Sequence, residues 1–124
     1  MRRREMARRL LVVEDDEDIR EVVVEDLAER GYFVEGLANG SLALDALRRS
    51  RGATIDGTTI VLDLMMPVMD GWEFLREVRG DAALRDVRVI VTTGSEDTGT
   101  LPSDIHILRK PYRILELVRA IEQS

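Results

Sequence analysis

Polar residues close four apolar runs of this sequence. Leu10-Leu11-Val12-Val13 ends in Glu14-Asp15-Asp16, and Thr58-Thr59-Ile60-Val61-Leu62 ends in Asp63. Val87-Arg88-Val89-Ile90-Val91-Thr92 runs into Thr93, and Ile105-His106-Ile107-Leu108 stands just before Lys110. Brought to one place, these residues would gather carboxylates, a hydroxyl and an ammonium. Crowded carboxylates raise one another's pKa, and a hard divalent cation relieves the repulsion. Magnesium takes oxygen ligands, keeps several waters and suits one or two carboxylates together with a phosphoryl group. The set therefore reads as a site where a carboxylate, a metal, a hydroxyl and a cation converge on phosphate. Taken singly, the residues say less. Asp16 reads as a helix cap, Asp63 equally as a surface turn, Thr93 as a core or turn hydroxyl, and Lys110 as a solvated charge. His106 reads as structural, Asp70-Gly71 as a turn without a catalytic role, and Met65, Met66 and Met69 as loop packing. Joint placement at four strand ends is what turns the reading. Lys110 is also the one lysine among 18 basic residues, and its compact ammonium differs from a broad guanidinium.

The elements that must position these residues alternate. Strands are expected over Leu10–Val13, Tyr32–Leu37, Thr58–Asp63, Val87–Thr92 and Ile105–Leu108. Helical spacing follows four of them: Ile19, Val22, Val23 and Leu27; Leu42, Ala43, Ala46 and Leu47; a short helix over Trp72–Arg79; and Ile114, Leu117, Val118 and Ile121. Asp16 is placed to start the first helix and Gly31 to stop it. Between the fourth and fifth strands, Glu96–Ser103 forms only a weak or shortened helix, because Gly99 and Pro102 interrupt it. Strand–helix alternation predicts a doubly wound α/β domain with a parallel sheet and helices on both faces. Ligands of such sheets bind beyond the carboxyl ends of the strands, where the polar residues stand.

Composition removes competing chemistries. The chain has 124 residues, 44% hydrophobic and 34% charged, with no Cys and one His. A length of this order suits one domain. Thiol catalysis, Cys-ligated zinc and disulfide scaffolds are excluded, and so is a multi-histidine metal site within one copy. No apolar run reaches the roughly 20 residues of a membrane helix, so no membrane insertion and a cytoplasmic location are expected. The net charge of −6 divides into +4 over residues 1–9 and −10 over the rest. An acidic body is repelled by nucleic acid, and direct nucleic-acid binding is not expected. Residues 1–8 read as a solvated basic tail, and residues 9–124 as the domain.

From about Arg9 to the C-terminus, the residues resemble the receiver domain of two-component response regulators, the CheY-like superfamily. Leu11-Val12-Val13-Glu14-Asp15-Asp16 is similar to its first-strand acidic motif. Val61-Leu62-Asp63-Leu64-Met65-Met66-Pro67-Val68-Met69-Asp70-Gly71 is similar to its phosphoacceptor strand and loop. Val89-Ile90-Val91-Thr92-Thr93-Gly94 resembles its switch-hydroxyl segment, and Lys110-Pro111-Tyr112 its Lys-Pro-aromatic motif. The resemblance implies a flavodoxin-like five-stranded sheet of order 2-1-3-4-5. It implies that Asp63 accepts a phosphoryl group from a histidine kinase or phosphotransfer protein, and that a downstream protein target reads the result. It implies Mg2+ held by Asp15, Asp63, the backbone carbonyl of Met65 and, through water, Glu14. Lys110 would pair with the phosphoryl group, Thr93 would hydrogen-bond it, and Lys110-Pro111 would be a cis peptide. The domain would not be an enzyme in the ordinary sense, but a phosphoacceptor promoting its own phosphorylation and dephosphorylation. Arg88 stands where the family usually has Pro, Gly94 where it has Ala, and Ile107 where it often has Tyr or Phe. The alternatives are an interaction module that works without phosphorylation, and an aspartyl-phosphate phosphatase. The phosphatase would want a second Asp where Met65 stands.

Overall fold

The computed structural model describes residues 8–49, 57–94 and 101–123. Along the chain run β1 (Arg9–Val13), α1 (Glu17–Glu29), β2 (Phe33–Leu37), α2 (Gly40–Arg49) and β3 (Thr58–Asp63). They are followed by α3 (Gly71–Arg79), β4 (Arg88–Thr93), β5 (His106–Arg109) and α4 (Ile114–Gln123). The strands form one sheet in the order β2-β1-β3-β4-β5, and every pairing is parallel. The expected order is thus the observed one. Central β3 is buried at all six positions, as a strand covered on both faces must be.

The period-two alternation of the strands divides the core into two layers. Leu11, Val13, Ile60, Leu62, Val89 and Val91 face α2 and α3, where Leu44, Leu47, Phe74 and Val78 cover them. Leu10, Val12, Val61 and Ile90 face α1 and α4, covered by Val23, Leu27, Leu117 and Ile121. Each fully buried large side chain contributes about 2 kcal/mol relative to exposure, so the sheet is clamped from both sides at its centre. The helix phases differ in part from the sequence expectation. Leu42 is 45% exposed while Leu44 is buried, and Val22 is 66% exposed. In α2 the inward stripe is Ala43, Leu44, Ala46 and Leu47, which leaves Leu42 off the contact line. In α1 only the Val23–Leu27 edge is fully buried.

Helix starts follow the capping logic. The Asp16 side chain accepts the Ile19 N–H at 3.0 Å, and Asn39 accepts that of Leu42 at 2.9 Å. At α3, Asp70 accepts the Glu73 N–H at 2.9 Å while the Glu73 carboxylate accepts the Asp70 N–H at 3.1 Å, a reciprocal capping box. Asp70→Ala should therefore cost about 1 kcal/mol. Chemical denaturation of the two proteins checks this, and an unchanged midpoint would count against it.

Arg8, the first described residue, donates from Nη1 to the Ile121 carbonyl near the end of α4. Beside it, the Tyr32 hydroxyl donates to the Glu122 carboxylate. Burial and that carboxylate push the Tyr32 pKa up to about 12. The weak helix expected over 96–103 falls largely outside the described residues. Of that span, 101–103 are described and are not helical.

Candidate functional site

The carboxyl ends of the strands converge at one rim. Glu14 directly follows β1, and its N–H extends the ladder by donating to the Leu37 carbonyl at 3.0 Å. Its side chain turns inward and is buried, while neighbouring Asp15 is exposed. Asp63 is the last residue of β3 and only 5% exposed. Carboxylate oxygens of Glu14, Asp15 and Asp63 all lie within 4.8 Å of one another. Asp16 stays out of this cluster: it caps α1, and its N–H donates to Glu14 Oε2 at 3.2 Å.

Lys110 reaches the cluster from the segment after β5. Its N–H donates to the Thr93 carbonyl at 2.8 Å, and the following bond to Pro111 is cis, as the resemblance implied. The ammonium sits 3.2 Å from Glu14 Oε1 and 3.5 Å from Asp63 Oδ1. One cation thus bridges two buried acids contributed by different strands. Thr93 ends β4 fully buried, one residue past Thr92, the β-partner of Asp63. At Met65 the contact with Asp63 comes from the backbone N–H, which donates to Asp63 Oδ1 at 3.3 Å, and the Met65 side chain is exposed. Met66 is buried and Met69 packs against the same core, so those two are loop packing as expected.

The electrostatics follow from three acids facing one cation. Burial, and next the charge of Glu14, push the Asp63 pKa up to about 6, against the pull of Lys110 and the Met65 N–H. Burial alone would lower the Lys110 pKa, but Asp63 and Glu14 together raise it above the usual lysine value. A proton on Asp63 partly relieves the crowding, and a divalent cation relieves it more fully. Hard oxygen donors, without nitrogen or sulfur, match magnesium in chemistry, so the residues fit the ion the sequence implied.

Two supports were not visible in the sequence. Arg20 of α1 donates from Nη1 to the Glu14 carbonyl at 2.8 Å and pins the turn that carries the acids. Gly36 makes room for it: a Cβ there would meet Arg20 Cγ at 3.1 Å and Cδ at 3.2 Å. A glycine inside a strand, the usual mark of a close approach, was the available signal. The loop after β3 holds a second feature, since Val68 adopts φ 70° while 78% exposed. Left-handed backbone is an outlier for a β-branched residue.

Comparison with known proteins adds a family. The model of the response regulator receiver domain matches residues 10–122. The response regulator receiver protein CpdR of Brucella abortus is 29% identical over 119 residues, covering 94% of this chain and 95% of that protein. The response regulator MprA of Mycobacterium tuberculosis is 33% identical over 118 residues, and the chain spans 48% of its length. Among solved structures, the receiver domain of the sensor histidine kinase PA1611 from Pseudomonas aeruginosa aligns with TM-score 0.78 and 30% identity. That alignment covers 94% of this chain and 96% of that one, and that structure has magnesium coordinated in its active site cleft.

Proposed function

Because the chain belongs to the response regulator receiver domain family of two-component signalling, we propose that Asp63 is its phosphoacceptor and that the acidic cluster works with Mg2+. An Asp63 oxygen attacks the phosphorus of a phosphohistidine on a histidine kinase or phosphotransfer protein. The new O–P bond forms as the N–P bond breaks, and the imidazole leaves with the electron pair. Glu14, Asp15, Asp63 and the Met65 carbonyl are the residues that would hold the metal, with Glu14 acting through water. The ion supplies neutralisation of charge on the phosphoryl oxygens. Lys110, already between Glu14 and Asp63, pairs with the added phosphoryl charge. Thr93 donates its hydroxyl to a phosphoryl oxygen and draws the segment after β4 inward, which a downstream protein target reads. Phosphoryl transfer asks the protein mainly for positioning and charge neutralisation, and this cluster supplies both.

The observation that carries the reading is the Lys110 ammonium spanning two buried acids, with three carboxylates within 4.8 Å. The magnesium in the PA1611 receiver supports the choice of ion. In this reading residues 9–124 are the receiver and residues 1–8 a basic tail. The protein acts in the cytoplasm, binds no nucleic acid directly and promotes its own phosphorylation and dephosphorylation. No described helix is long and apolar enough to cross a membrane.

The test is incubation with a small phosphodonor and Mg2+. The chain should gain one acid-stable, base-labile phosphoryl group, and chelation of the metal should prevent it. Absence of that group from folded protein would overturn the proposal.

A further inference from the structure

The three acids of the cluster are not equally held. Glu14 has three anchors. Its N–H donates to the Leu37 carbonyl at 3.0 Å, its Oε2 accepts the Asp16 N–H at 3.2 Å, and its Oε1 lies 3.2 Å from the Lys110 ammonium. Asp63 ends β3, pairs with Lys110 and accepts the Met65 N–H. Asp15 is exposed, and among the described residues its carboxylate makes no hydrogen bond or ion pair. What orients Asp15 is the peptide plane before it. The Glu14 carbonyl and the Asp15 N–H belong to one rigid unit, and that carbonyl accepts Arg20 Nη1 at 2.8 Å, a charge-assisted bond. Arg20 is the fourth residue of α1. Long helical side chains lean back toward the N-terminus, which carries its guanidinium over the turn to Glu14. Its stem lies along β2 at Gly36, where an added Cβ would stand 3.1 Å from Arg20 Cγ and 3.1 Å from Val24 Cγ2. Arg20 is the one basic residue of a helix with six acids, yet its guanidinium goes to a carbonyl. A positive charge this near the cluster would by itself weaken the hold on a divalent cation, so what Arg20 offers the site is geometry.

We infer that Arg20, seated over Gly36, is a positioning residue for Mg2+ binding: it holds the Glu14–Asp15 peptide so that the Asp15 carboxylate is presented to the ion. The inference rests on the metal-assisted reading above. Groups that orient metal ligands contribute about ten- to a hundredfold in affinity.

The experiment is a Mg2+ titration of the whole chain, followed by amide NMR, for wild type, Arg20→Met and Gly36→Val, each below its melting temperature. Arg20→Met keeps the apolar bulk of the stem and removes the donor and the charge. It should weaken Mg2+ binding about tenfold, whereas loss of charge alone would tighten it and loss of packing alone would lower only the melting temperature. Gly36→Val keeps the charge, displaces the stem and should weaken binding in the same direction. Before metal is added, the Asp15 amide should already be shifted in both variants. Uptake from a small phosphodonor should need more Mg2+ to reach half its maximal rate, yet approach the wild-type rate at saturation, because Arg20 touches no reacting atom. Mg2+ affinity equal to or tighter than that of wild type in either variant overturns the inference, as does a maximal rate that stays low at saturating metal. A wild type that binds no Mg2+ would overturn the metal-assisted reading along with it, which tells the two failures apart.

Discussion

Asp63→Asn is expected to abolish phosphoryl uptake and, with chelator present, to stabilise the fold by about 3 kcal/mol near pH 7.5. The amide keeps the shape of the side chain and can still accept the Met65 N–H, but it is not a nucleophile. The gain in stability comes from removing a charge that the site holds at a cost. Folding raises the Asp63 pKa from 3.8 to about 6, chiefly through burial and then through Glu14. Between those values the folded protein binds a proton that the unfolded chain has released. The penalty of the ionised carboxylate is therefore full above about pH 6, shrinks as pH falls, and vanishes below about pH 4. Urea denaturation of both proteins at several pH values measures the gap, which should narrow steadily toward acid. Magnesium should narrow it at neutral pH as well, because only the wild-type carboxylate gains a partner. Equal stability of the two proteins at pH 7.5 without metal would refute this account of the site's charge.

Gly71→Ala should destabilise the domain by about 3 kcal/mol, near the upper end for overpacking, and slow phosphoryl uptake by tenfold or more. An added Cβ would lie 2.8 Å from Leu64 Cδ1 and 2.9 Å from Leu64 Cα. The second of these is backbone and cannot rotate away. Leu64 is fully buried, and its carbonyl accepts the Gly71 N–H at 2.9 Å, so the two residues are locked together. Any retreat of Leu64 moves Asp63, its immediate neighbour. Small misplacements of a reacting group carry large rate penalties. Thermal melting reads the first effect, and uptake from a small phosphodonor at a temperature where the variant is folded reads the second. A variant that melts and reacts like the wild type would refute the tight fit of Gly71 against Leu64.

The acids and the lysine were legible because a charge directly after a buried apolar run has few reasons to be there. Asp63 follows Ile60-Val61-Leu62, and Glu14 follows Leu10-Leu11-Val12-Val13. Parallel strands then place such ends side by side. Helix phase was less legible. In short helices such as α2, Leu42 and Leu44 are both compatible with an inward stripe, and the packing of α3 and the sheet selects Leu44. Asp70-Gly71 read only as a turn, yet Asp70 builds a capping box and Gly71 fits against Leu64. Arg20 was missed because its partner is a backbone carbonyl, which carries no residue signature. Close approaches of this kind depend on the assembled fold and leave at most a glycine as their trace.

The left-handed Val68 has a consequence for the loop that follows Asp63. Such a conformation costs about 1–3 kcal/mol and persists only where surrounding structure enforces it. Here the enforcement comes from the downstream side, through Met69 N–H to the Pro67 carbonyl and Gly71 N–H to Leu64. The loop bordering Asp63 is thus held in a strained turn at an exposed position by two backbone hydrogen bonds on its downstream side.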